Sequence, residues 1–211
     1  MVLNLDFWTR RVGRPVLHAL VALPLATLVA RALGHLGGLG ANPIATLTDL
    51  LGLWGLRCLL ASLAMTPLRT LTGSPRWLLY RRMLGLWGFA YLTLHLSMYV
   101  LVDQRLDLPV LVEDVLKRPW ITIGFVGWVL LVPLTVTSLP ALVRRLGARR
   151  WRLLHKTAYL IALLGVWHYY WQVKRDIRPP LLYAAIYALL MGARLLRLRA
   201  RSAPATAPGR T

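Results

Sequence analysis

The chain has 211 residues, 57% hydrophobic and 16% charged, and its 26 Lys plus Arg against 7 Asp plus Glu give a formal net charge of +19. Disordered chains are poor in Leu, Val and Trp, and nucleic-acid-binding domains carry their basic charge on a polar surface. A mean hydropathy of +0.56, with arginines set between long apolar runs, excludes both and points to an integral membrane protein. The single cysteine, Cys58, excludes a disulfide framework and any multi-cysteine zinc or iron–sulfur site.

A membrane-spanning helix needs about 20 mostly apolar residues. Six segments meet or approach that length: Pro15 to Leu33, Leu50 to Leu68, Leu84 to Val102, Trp120 to Leu139, Leu153 to Trp171 and Pro180 to Leu196. Breakers separate them, among them the glycines at Gly34–Gly40 with Asn42-Pro43, then Thr72-Gly73-Ser74-Pro75 and Arg178-Pro179-Pro180. The pattern predicts an all-α bundle of six transmembrane helices over residues 15–197, with sequence neighbours antiparallel. A short arm (1–14) precedes it, and a basic tail (198–211) follows, whose Ala-, Pro- and Thr-rich end predicts disorder.

With the N-terminus in the cytoplasm, 18 of the 26 basic residues fall on the cytoplasmic side, seven fall opposite, and Arg57 lies within a span. Six of the seven acids also fall opposite. Both termini are therefore expected in the cytoplasm. Thr9-Arg10-Arg11 before an apolar stretch has the look of a twin-arginine export signal, but five further spans favour a basic flank of an uncleaved first helix.

Ionisable residues inside spans are rare and usually mark a site. His35 sits in the Gly-rich loop, and a solvated role suffices for it. His18 lies near the inner end of the first span, His95 in the outer half of the third, and His155 and His168 at the inner and outer ends of the fifth. His95 is 13 residues beyond Arg82, and His168 is 13 beyond His155. At about 1.5 Å per residue both lie nearly 20 Å above the cytoplasmic edge. For either alone an interhelical hydrogen bond is the simpler use. For a depth-matched pair, axial ligation of one haem iron is favoured. His155 has two open uses: a second, inner haem with His18, or contact with a headgroup or haem propionate. On one continuous helix, 13 residues place it about 140° away from His168, where stacked haems would prefer 14.

Trp54, Trp87, Trp128, Trp167, Tyr91 and Tyr159 are candidate haem walls, and Arg57 needs a propionate or an interior acceptor unless it snorkels. Without Cys-x-x-Cys-His, attachment would be non-covalent and the haem b-type.

The blocks Gly37-Gly38-Leu39-Gly40-Ala41-Asn42-Pro43, Thr66-Pro67-Leu68-Arg69, Arg81-Arg82-Met83-Leu84-Gly85-Leu86-Trp87 with Leu94-His95-Leu96, and Arg118-Pro119 with Thr137-Ser138 occur in that order. Leu146-Gly147, Trp151-Arg152-Leu153-Leu154-His155 and His168-Tyr169-Tyr170-Trp171 follow. Over about residues 15 to 197 the chain resembles the haem-binding membrane subunit of the bacterial periplasmic methionine sulfoxide reductase system, the MsrQ or YedZ type. That type belongs with the ferric-reductase-like transmembrane cytochromes, relatives of the NADPH oxidase membrane domain.

The resemblance implies haem b, one or two per chain, on His95, His155 and His168, in the bacterial inner membrane. It implies a cytoplasmic flavin reductase or the quinone pool as electron supply. It also implies a periplasmic molybdopterin-containing catalytic subunit that reduces methionine sulfoxide in oxidised envelope proteins. FMN enters from the resemblance alone, because no motif marks a flavin-binding residue. In that family the haem protein carries electrons and the partner performs the reduction.

Two other classes compete. A stand-alone ferric or quinone reductase would need a nucleotide-binding domain of ~100 or more residues, but only about 15 residues follow the sixth span. A transporter or assembly factor would call for an in-span acid or an internal repeat, and neither is evident.

Overall fold

A computed structural model describes residues 9–202; the first eight residues of the arm, and 203–211 of the tail with their expected disorder, lie outside it. Among the described residues every named element is helical. After a π-helical turn at Thr9–Gly13 come α1 (Arg14–Ala32), α2 (Pro43–Thr72), a 3-10 turn at Pro75–Trp77, and α3 (Leu78–Ser97) with a π-helical continuation at Met98–Asp103. Then follow α4 (Leu108–Lys117), α5 (Pro119–Val136), α6 (Pro140–Leu146), α7 (Ala148–Leu154), α8 (Thr157–Gln172) and α9 (Arg178–Ser202).

Local chemistry sets these boundaries. Asn42 caps α2 by accepting from Ala45 N–H at 3.1 Å, and Pro43 supplies the fixed φ of a first turn. Gly73, at φ +67°, takes the left-handed position that ends α2. Asp107 caps α4 in the same way as Asn42, accepting from Val110 N–H at 3.2 Å.

Five helical stretches are long and apolar enough to cross a membrane: Arg11–Ala32, Pro43–Thr72, Pro75–Asp103, Pro119–Val136 and Arg178–Arg197. Large apolar side chains such as Leu20, Leu23, Phe125, Val129, Leu181 and Leu189 are exposed along them. A band of that kind suits acyl chains, whereas water-soluble surfaces keep apolar patches small.

The stretch expected as one span over 153–171 is divided instead. α7 ends at Leu154, the chain turns at His155 and Lys156, and α8 has 16 residues. The Thr157 hydroxyl donates to Leu154 O at 2.7 Å across the turn. His155 and His168 therefore do not share a helix.

α2, 30 residues long, contributes to each of three apolar clusters: with α1 and α3 around Cys58 and Tyr91, with α8 and α9 around Leu60 and Ala162, and with α5 and α8 around Leu59 and Ile161. Its crossing with α3 is close because both helices present glycine. A Cβ on Gly55 would stand 2.6 Å from the Leu92 side chain, and one on Gly88 would stand 2.9 Å from Leu59.

Tyr91, only 1% exposed, ties α3 to α1. Its hydroxyl accepts from Leu25 N–H at 3.1 Å and donates to Val21 O at 2.7 Å. Those two backbone groups would ordinarily bond each other, and Pro24 lies between them. The phenol thus makes hydrogen bonds with two backbone groups of α1 beside a helix proline, in a setting where water is not at hand to do so.

Candidate functional site

His95 of α3 and His168 of α8 meet, with ring centroids 6.1 Å apart and planes at 78°. His95 Nδ1 lies 2.8 Å from Thr48 O on α2, and His168 Nδ1 lies 2.7 Å from Trp120 O at the start of α5. A carbonyl oxygen can only accept, so each Nδ1 carries the hydrogen and donates. Each Nε2 is then left with its lone pair, the usual state of a metal-bound imidazole oriented by a backbone carbonyl. Two metal–nitrogen bonds of about 2 Å, each with roughly a further 1 Å to the ring centre, would separate the centroids by about 6 Å across one ion. The observed spacing matches that distance.

The two rings are seated alike. A Cβ on Gly52 would stand 2.9 Å from His95 Nδ1, and one on Gly124 would stand 2.9 Å from His168 Nδ1. Gly52 is four residues after Thr48, and Gly124 is four after Trp120, so carbonyl and gap lie one above the other on the same helix face. Each histidine is thus held by a neighbouring helix offering a carbonyl and, one turn on, an absent side chain. Sequence reasoning missed all four of these positions. The only available signal was a glycine inside each helical run, which costs about 1 kcal/mol against alanine and invites a packing explanation.

Among the described residues no group of three or more His, Cys, Asp or Glu gathers to hold a bare metal ion. A pair of axial imidazoles is instead the donor set suited to iron already held in its equatorial plane by a porphyrin. The residues present therefore fit haem.

The other expected site residues have different surroundings. His155 stacks on Trp151 with centroids 4.0 Å apart, and its Nε2 is 3.2 Å from Thr137 Oγ1. The Thr137 hydroxyl already donates to Pro133 O at 2.6 Å, so His155 Nε2–H is the donor toward it. That tautomer is opposite to the one held by the pair. Burial, and after it the Arg81 guanidinium, holds the His155 imidazole below its usual range.

His18 accepts from Trp87 Nε1 at 2.9 Å. Among the described residues it shares no hydrogen bond or ring contact with His155. Arg57 has found an interior acceptor: its Nε donates to the Tyr183 hydroxyl at 2.8 Å, and its guanidinium lies 4.6 Å over the Trp54 ring. Of the candidate walls, Tyr91 braces α1, Trp54 underlies Arg57, Tyr159 underlies Arg194, and Trp128 stacks on Phe89 while donating to Thr93 Oγ1 at 3.1 Å.

Residues 51–166, which hold Gly52, His95, Gly124 and His155, match the family described as ferric reductase like transmembrane component. The chain is 50% identical over 168 residues to the protein-methionine-sulfoxide reductase heme-binding subunit MsrQ of Caulobacter vibrioides, covering 80% of this chain and 79% of that one. It is 46% identical over 194 residues to the MsrQ of Xanthomonas campestris pv. campestris, covering 90% and 88%. Identity to the MsrQ of Rhodospirillum rubrum is 46% over 198 residues, 94% of each chain. The chain belongs to the MsrQ family. As a member of that family and of the wider ferric-reductase-like group, with five apolar helices of spanning length among the described residues, it is a multi-pass membrane protein.

Proposed function

We propose that this MsrQ-family chain is a b-type haem electron carrier of the bacterial inner membrane, with His95 and His168 as axial ligands of one haem. The observation that carries this reading is the imidazole pair at 6.1 Å, each Nδ1 engaged by a carbonyl and each Nε2 left with its lone pair. These relatives are heme-binding subunits of a protein-methionine-sulfoxide reductase by name, and that role is proposed for this chain. Haem bound at the pair supplies a one-electron iron couple. The protein's part is to hold and orient it. The Thr48 and Trp120 carbonyls fix the ring orientation and raise the basicity of Nε2, and Gly52 and Gly124 leave the rings their room.

The same reading takes six crossings over residues 15–197, with α8 as the short fifth. α8 runs antiparallel to α5 along its whole length. At one end Trp120 O meets His168, further along Gly127 faces Leu164, and toward the other end Ile161 packs with Leu131 and Leu134. α5 is long enough to cross, and α8 is coextensive with it. An even number of crossings puts both termini on one side, the distribution of basic residues assigns that side to the cytoplasm, and the histidine pair then lies near the periplasmic face. Electrons then enter from a cytoplasmic flavin reductase, with FMN, or from the quinone pool. They leave toward a periplasmic molybdopterin-containing catalytic subunit. His155 is reserved for a second, inner haem or a propionate contact.

The test is a reduced-minus-oxidised visible spectrum of the purified protein with haem quantified per chain. A b-type signal that His95→Ala and His168→Ala each abolish or convert to five-coordinate is expected. No b-type signal, or six-coordinate haem surviving both substitutions, overturns the reading.

A further inference from the structure

We propose that the ends of α2, α7 and α9 on the terminal-bearing face form a site for the phosphate group of an anionic phospholipid. A cavity of about 490 Å³ opens there, and Arg69, Arg152, Arg194 and Arg197 line it from three different helices. Four guanidiniums converging on one concavity repel one another, and among the described residues no acid forms an ion pair with any of them. Six of the seven acids of the chain lie at the other end of the bundle or in its connections, and the remaining one, Asp6, is in the N-terminal arm.

The ion pairs seen among the described residues, Lys117–Glu113, Arg118–Asp114 and Arg178–Asp176, all belong to that other end. None of the four pocket arginines takes part in one. Arg194 is held in place by a neutral partner, its guanidinium lying 4.2 Å over the Tyr159 ring.

Guanidinium forks match phosphate oxygens two at a time, and basic pockets between helices at the cytoplasmic membrane face are suited to phospholipid headgroups. Pro67 and Leu71 add an apolar wall at the end of a spanning helix, where a glycerol backbone and acyl chains would continue from the headgroup. That wall favours a lipid phosphate over a free one. The site is independent of the histidine pair and does not rest on the haem reading.

The experiment uses the full-length protein with its native complement, delipidated in mild detergent. It measures binding of dioleoyl phosphatidylglycerol and dioleoyl phosphatidylcholine by native mass spectrometry, with inorganic phosphate as competitor. Phosphatidylglycerol is expected to bind more tightly than phosphatidylcholine. Arg69→Gln and Arg194→Gln are each expected to weaken it about fivefold, and the two together about 25-fold. Arg194→Lys retains the charge and most of the binding, and Arg144→Gln, on the same face but outside the cavity, leaves it unchanged. Melting temperatures measured alongside show that the variants are folded. Equal binding of the two lipids overturns the proposal, as does a loss in Arg144→Gln matching that in Arg69→Gln. Displacement of phosphatidylglycerol by millimolar inorganic phosphate also overturns it and assigns the cavity to a soluble phosphate.

Discussion

Alanine in place of Gly124 is expected to displace His168 and weaken haem retention, and Gly52→Ala is expected to do the same through His95. The added Cβ at Gly124 would meet His168 Nδ1 and Cε1 at 2.9 Å and Cγ at 3.3 Å. Ordinary contacts between heavy atoms lie at about 3.5–4.0 Å, so the ring must retreat by roughly 0.5–1 Å. A 2.7 Å bond from Nδ1 to Trp120 O then stretches to about 3.2–3.7 Å, at or beyond the useful range, and weakens the contact that orients the ring. Removing such an outer partner of a metal-bound histidine typically costs 10–100-fold in affinity. Helix propensity works in the opposite direction, favouring alanine by about 1 kcal/mol, so lost haem would not reflect a weakened helix. Gly127→Ala, on the same helix, is the control, because its Cβ meets Leu164 Cβ at an ordinary 3.7 Å. The assay is haem per chain and the rate of haem loss to an acceptor protein. Gly52→Ala and Gly124→Ala variants that keep haem as well as Gly127→Ala would refute the seating argument.

Tyr91→Phe removes the hydroxyl between Leu25 N–H and Val21 O, and should cost about 1–3 kcal/mol, read as a lower melting temperature in detergent. An unchanged melting temperature would mean that α1 closes its own ladder at Pro24. Reversing the charge of the exposed residues Glu113, Lys174 and Arg175 should slow electron delivery to the catalytic partner without altering the haem spectrum. If only reversals at Arg144 and Arg145 have that effect, the partner docks on the other face. His155→Ala separates its two uses: loss of about half the haem with the remainder intact marks an inner haem, and full haem content at a shifted potential marks a propionate contact.

The depth match of His95 and His168 was legible in the sequence because both helices run the same way, so counting residues from their basic edges measures height. What seats the two rings was not legible. Thr48 and Trp120 act through backbone oxygens, which every residue possesses, and Gly52 and Gly124 act by lacking a side chain. Only the fold shows that each gap faces a histidine. Arg57 inside a span calls for a partner, but Tyr183 is 126 positions away and no local pattern links them. Tyr91, a candidate haem wall by sequence, instead bonds the backbone of α1 beside Pro24, which sequence spacing alone does not connect to it.

The break between α7 and α8 was hidden for a related reason. Residues 148–172 contain no proline or mid-run signal at His155, and the turn there is accompanied by bonds outside the segment's own pattern, from Trp151 Nε1 to Thr137 O and from His155 toward Thr137 Oγ1. Its consequence reaches the chemistry. On one continuous helix, an angle of about 140° separates His155 from His168 and weighs against two haems on one face. With the turn in place, that angle no longer constrains anything. The constraint that replaces it is the tautomer: His95 and His168 present Nε2, while His155 spends Nε2–H on Thr137 and keeps its lone pair on Nδ1. To take an iron, His155 must either present Nδ1, beside the backbone, or give up Thr137. Thr137→Val, which removes the hydroxyl and nearly preserves the shape, distinguishes the two: it frees Nε2 and strengthens an inner site in the second case, and leaves haem content unchanged in the first.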